Sequence, residues 1–175
     1  MVSEIYLDAC ATTPPCKEVV QRIHELQSIA WGNPSSIHGP GLIAAEMLER
    51  SRQTISAILG CQPSQIIFTS GATESIHLGI LGTARRMSPG RIIVSAVEHP
   101  SVISAAKSLV KDGWTLSKWP VDKFGRIQLD LIDRMLETPT KVVSLVWGQG
   151  EVGTIQPVEI VGSACRERGI VFHTD

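Results

Sequence analysis

"RIIVSAVEHPSVISAAKSLVKDGWTLSKWP", residues 91–120, sets the fold class. It opens on an apolar run, Ile92-Ile93-Val94, turns through the polar Glu98-His99-Pro100, and continues in helical rhythm to Lys111. Asp112-Gly113 breaks that rhythm, and "WTLSKWP" starts a second short run. Strand, helix, strand in that order is a βαβ unit, and its two strands must be parallel. The alternation continues on both sides. Downstream come a turn at Asp122–Gly125, a short helix near 129–136, the strand "KVVSLVW" (141–147), a helix near 157–168 and the strand "GIVFHTD". Upstream come the strand "QIIFTS" (65–70) and the helix "TESIHLGILGTARRM" (73–87). Strands of about six residues separated by helices predict an α/β fold, with a mostly parallel sheet covered on both faces.

Before residue 65 the pattern differs. "MVSEIYLDACATTPP" is an extended arm closed by a proline pair. Val19, Ile23, Leu26 and Ala30 share one face of a helix predicted over 16–30. "WGNPSSIHGPG" is a loop by its Gly, Pro, Asn and Ser content. A second helix, over 41–59, aligns Ala44, Leu48, Ile55 and Leu59 and stops at Gly60.

Bulk properties narrow the function classes. Of the 175 residues 43% are hydrophobic and 19% charged, which suits a globular protein with a substantial core. A formal net charge of −1 gives no basic footprint for nucleic acid or anionic membranes. With no signal-peptide apolar stretch and no run long enough to span a bilayer, the expected location is the cytoplasm. Cys10, Cys16, Cys61 and Cys165 are widely spaced without a CxxC pair, so unpaired thiols are expected, and no metal set.

Ligands of parallel α/β sheets bind beyond the carboxyl ends of the strands. Four stretches fall there: "TSGATES", "SAVEHPS", "WGQGEVG" and "HTD". Gly71, followed by a helix start, suits a phosphate, because glycine permits close backbone approach and the first helical N–H groups are free. The same residues also fit a plain capped helix, with Ser70 or Thr73 as cap and Glu74 at the positive end. Neither a Walker A loop nor GxGxxG occurs. His99 can stack on a planar ligand or shuttle a proton, or simply end a helix. Gln149 and Glu151 lie between glycines in what reads as a loop, and Asp175 alone could cap a turn. Together, a phosphate cradle, an imidazole, an amide and a carboxylate at one sheet edge fit a ligand with a phosphate at one end and a ring nitrogen at the other.

"YLDACATTP", "GNPSSIHGPG", "IIFTSGATES", "EHPSV", "EVGTIQPV" and "ACRERGIVFHTD" occur in an order and spacing that resemble the cysteine desulfurases, from residue 5 to residue 175. These are pyridoxal 5′-phosphate (PLP) enzymes of the aminotransferase class-V type. The resemblance implies an incomplete three-layer PLP-dependent transferase large domain. Residues 61–175 would form the partial PLP-binding part. Residues 1–60 would be an arm and helices contributing to the small domain and dimer contacts. It further implies that Ala72 and Thr73 hold the phosphate, His99 stacks on the ring and moves protons, Asp175 pairs with the ring nitrogen, and Asn33 contacts substrate. The implied reaction converts L-cysteine to L-alanine. Its sulfur passes as persulfide to a sulfur-acceptor or iron–sulfur scaffold protein, from a homodimer.

The chain departs from that pattern in places. Gln149-Gly150 replaces the family's two asparagines, so Gln149 is the amide at hand for the ring hydroxyl. His77 stands where an asparagine is commoner. None of Lys17, Lys107, Lys111, Lys118, Lys123 and Lys141 matches the cofactor-bearing lysine, and no cysteine matches the sulfur-accepting one. These 175 residues alone are therefore expected not to turn over cysteine. Two alternatives stay open: an inert interaction module, and a related PLP lyase acting on cysteine, cystine or selenocysteine.

Overall fold

A computed structural model describes residues 5–175. The chain divides into two compact units between Phe68 and Thr69.

In the first unit, helix α1 spans Lys17–Ile29 and α2 spans Gly39–Leu59. The expected apolar stripe of α1 exists, but no residue of that helix is buried. α2 starts on His38, whose Nδ1 accepts the Gly41 N–H at 3.3 Å, with Pro40 in the first turn. It ends on Gly60, whose φ of 67° is the left-handed stop that the glycine predicted.

The predicted strand at 65–70 does not form. Pro63–Gln65 is a single 3-10 turn, and residues 66–69 run on without a ladder partner among the described residues. Ile66 has the backbone angles of a strand (φ −91°, ψ 124°), as its β-branched neighbourhood favours. A strand also needs a neighbour, and here the Ile66 carbonyl accepts from the Arg52 guanidinium instead.

The second unit begins with α3 (Ala72–Ala84) and then follows the predicted alternation. Its elements are β1 (Arg91–Ser95), α4 (Pro100–Lys111), β2 (Thr115–Trp119), α5 (Ile132–Leu136), β3 (Thr140–Ser144), a β4–β5 hairpin (Gly148–Gln149, Thr154–Ile155), α6 (Val158–Glu167) and β6 (Val171–His173). The main sheet has the order β2-β1-β3-β6, with every pair parallel. From β1 the chain crosses to β2 on one side and returns to β3 on the other. The order therefore reverses between β1 and β3, the position where such sheets open a crevice.

Alternating residues divide the core. Ile92 and Val94 join Ile76, Ile80, Val102 and Leu109 from α3 and α4. Ile93 joins Trp119, Val143 and Leu145 with Val161 and Cys165 from α6. Helices thus cover both faces, and each fully buried aliphatic side chain contributes about 1.5–3 kcal/mol.

Burial also pushes the Cys165 thiol up to about 11. At pH 8 a disulfide reagent should label exposed Cys10 and Cys16 first and Cys61 more slowly. Cys165 should react only on unfolding; rapid labelling of Cys165 in the folded chain would contradict its place in the core. Among the described residues, no helix is long and apolar enough to cross a membrane.

Candidate functional site

The carboxyl ends of β1, β3 and β6 and the start of α3 carry the residues that the motifs single out. α3 opens on Gly71, whose side no capping group occupies. Neither Ser70 nor Thr73 caps the helix, although both were candidates for that role. Instead the Glu74 carboxylate reaches back to Ser70, accepting from its N–H and its hydroxyl at 2.6 Å each. Those two bonds hold Glu74 below the usual carboxylate range. Ala72 and Thr73 thus receive no side-chain cap on their N–H groups, and a Cβ placed on Gly71 would meet only open space. The Thr73 hydroxyl lies 3.1 Å from that of Ser101, which ties the start of α3 to the start of α4.

His99 is the N-cap of α4, and its Nδ1 accepts the Ser101 N–H at 3.2 Å. Because Nδ1 is an acceptor, the neutral ring carries its proton on Nε2. The cap and the site role suggested for His99 are therefore compatible: one nitrogen fixes the helix and the other stays available.

Asp175 is anchored through its backbone. The β3–β6 pairing continues past both strands, with Leu145 N–H donating to the His173 carbonyl at 3.0 Å and Trp147 N–H to the Asp175 carbonyl at 2.9 Å. The Thr174 hydroxyl donates to the Leu145 carbonyl at 2.9 Å. These bonds fix the strand tip while the Asp175 residue itself stays exposed.

Gln149 begins the hairpin. Its Oε1 accepts from the N–H groups of Glu151 and Val152, both at 2.8 Å, and its Nε2 donates to the Glu151 carboxylate at 3.2 Å. What the sequence presented as a loop is a two-strand hairpin, closed by this amide. Asn33 belongs to the other unit, where its Oδ1 accepts the Ser35 N–H at 2.9 Å and shapes its own turn.

Two groups at this edge escaped the sequence reading. Glu98, between β1 and α4, accepts from Ser95 Oγ at 2.6 Å and from Val146 N–H at 2.8 Å. Its signal was an acid directly before His99 in "AVEHPS". His173, inside β6, has Nδ1 2.8 Å from Ser144 Oγ. Burial lowers the His173 pKa, and the Asp175 charge acts against that.

The sequence profile of the aminotransferase class-V family matches residues 5–175. The chain belongs to that family. Among its class-V relatives, a cysteine desulfurase of Azotobacter chroococcum mcd 1 is 41% identical over 99% of this chain and 44% of its own length. The putative cysteine desulfurase IscS 1 of Bacillus subtilis (strain 168) is 38% identical over 99% of this chain and 46% of its own length. This class-V chain thus spans less than half the length of these relatives. A solved NifS-like protein superposes with a TM-score of 0.90 at 32% identity, over 99% of this chain and 49% of that one. SspA, solved in complex with cysteine, superposes with a TM-score of 0.88 at 31% identity, over 97% of this chain and 50% of its own. The fold is part of the PLP-dependent transferase fold of these NifS-like neighbours.

Proposed function

We propose that this sheet edge holds PLP, and that the protein is a cysteine desulfurase-like enzyme converting L-cysteine to L-alanine with transfer of the sulfur. One observation carries the proposal: the uncapped start of α3 and the carboxylate of Asp175 stand at the carboxyl end of one parallel sheet whose strand order reverses there. The donor set suits the group. The N–H groups of Ala72 and Thr73, with the helix dipole, favour a phosphate, and the Thr73 hydroxyl adds a donor. Asp175 suits a protonated ring nitrogen, through a charge-assisted hydrogen bond of about 1.5–3 kcal/mol. When bound, PLP supplies an electron sink for carbanion chemistry at the substrate.

The chain's own residues have separable tasks in this proposal. Asp175 keeps the ring nitrogen protonated. His99 stacks through its ring face and holds or moves a proton at Nε2, while Nδ1 stays on the Ser101 N–H. Gln149 keeps the β4–β5 hairpin closed. The sulfur passes to a thiolate, whose new S–S bond forms as the C–S bond of cysteine breaks, and the resulting persulfide serves an acceptor or iron–sulfur scaffold protein. The working form is a homodimer in the cytoplasm.

These 175 residues alone should bind PLP and leave cysteine intact, since none of their lysines or cysteines stands at the reactive positions the family resemblance assigns. The test is PLP titration followed by absorbance before and after borohydride, then alanine analysis after adding L-cysteine. Saturable binding, no borohydride-stable adduct on a specific lysine and no alanine are expected. A specific lysine adduct or alanine release would place a complete reactive centre within these residues. Absence of saturable PLP binding would overturn the proposed site.

A further inference from the structure

β1 stops at Ser95, while the backbone after β3 continues. Leu145 and Trp147 turn their N–H groups toward β6, so alternation turns the Val146 N–H toward the β1 side, beyond the last β1 residue. Glu98 supplies the missing acceptor. Its Oε1 takes both the Val146 N–H, at 2.8 Å, and the Ser95 hydroxyl, at 2.6 Å. Glu98 directly precedes His99, and Val146 directly precedes Trp147, whose N–H holds the Asp175 carbonyl at 2.9 Å. One carboxyl oxygen therefore joins the segment that presents His99 to the segment that fixes Asp175, across the switch point of the sheet.

We propose that Glu98 is a positioning residue, a clamp that sets the turn bearing His99 against the strand end that anchors Asp175. What it positions rests on the PLP assignment above; the clamp itself rests on its own hydrogen bonds. The other oxygen, Oε2, is buried and has no hydrogen-bond partner among the described residues. A buried negative charge with one unpartnered oxygen is unfavourable, and protonation at Oε2 removes the charge while Oε1 stays the acceptor. Burial accordingly raises the Glu98 pKa. The donors from Ser95 and Val146 oppose that, and the Asp175 charge adds to it. Among the titratable groups, Asp175, just after β6, is the one whose charge acts on Glu98; His99 is next in the chain.

The sign of the pH effect follows. With the folded pKa raised, the stabilisation from this group is complete below the ordinary value of 4.5 and is lost as pH rises through the folded pKa. Glu98→Gln keeps the Oε1-type acceptor and does not titrate. From pH 4.5 to 8 the wild type should therefore lose roughly 2–4 °C of melting temperature relative to Glu98→Gln. Glu98→Ala removes the acceptor, and at pH 5 should melt about 4–8 °C below wild type. In PLP titrations, Glu98→Gln should keep the wild-type affinity within about twofold, while Glu98→Ala should weaken it about tenfold, because the cradle is no longer preorganised.

Wild-type melting and PLP affinity in Glu98→Ala would overturn the clamp. So would a wild-type minus Glu98→Gln difference that does not change with pH, or equal loss of PLP in both variants. Should the wild type bind no PLP, the cofactor assignment fails, and the pH-resolved melts still decide whether Glu98 clamps the two segments.

Discussion

Trp119→Ala should lower the unfolding free energy by about 3–5 kcal/mol, the range for deleting a large buried aromatic side chain. Trp119 ends β2, an edge strand, yet is only 1% exposed. The following segment covers it: Gln128 N–H returns to the Pro120 carbonyl at 3.0 Å, Val121 bridges Ile127, and the indole N–H donates to the Gln128 carbonyl at 2.9 Å. Removing the indole opens a cavity beside Ile93 and Ile127 and leaves that carbonyl without its donor. Against a total stability of about 5–15 kcal/mol, this loss removes a fifth or more of the stability, and most of it at the low end of that range. Urea denaturation checks it, with a lower midpoint at unchanged slope; a loss under about 1 kcal/mol would mean the side chain is not packed as described. Trp119→Phe should fall between, since it fills most of the space but cannot donate.

The second large effect falls on the ligand. Asp175→Ala should weaken PLP binding about 10–150-fold, the equivalent of the 1.5–3 kcal/mol of a charge-assisted hydrogen bond. Asp175→Asn keeps an acceptor but not the charge and should lose less. The fold should tolerate both changes, because Trp147 bonds to the backbone carbonyl of Asp175 and not to its side chain. Removing the charge should also let the pKa of Glu98 fall and that of His173 drop further, since Asp175 raises both. Unchanged PLP affinity in Asp175→Ala would remove this residue from the site.

Much of this was legible in the sequence for a physical reason. Ile92-Ile93-Val94 and Val142-Val143 are runs buried on both faces of a parallel sheet, and such strands announce themselves by composition. Gly60 marks a helix end by its left-handed backbone, and Gly125 marks a turn with φ of 76°. The failure at residues 66–69 shows the limit of propensity. Ile66-Ile67-Phe68 favours extended backbone, but whether a ladder forms depends on a neighbour the local sequence does not name. The hairpin at 148–155 was hidden because a side-chain amide closes it, and glycines on both sides disguise the strands as loop. Glu98 was hidden for a different reason: its partners are three residues before it and 48 after it, and only the sheet order brings Val146 beside it. His99 was legible as a helix end, because a side-chain acceptor just before Pro100 suits an N-cap, and Nδ1 takes that role on the Ser101 N–H.

The start of α3 should hold a phosphate while Asp175 holds a ring nitrogen. Parallel titrations of the chain with PLP and with pyridoxal, which has the same ring and no phosphate, separate the two contacts. The expected result is saturable PLP binding, at least about tenfold weaker binding of pyridoxal, and loss of affinity for both ligands in Asp175→Ala. Equal binding of the two ligands, or PLP binding that Asp175→Ala leaves unchanged, would contradict it.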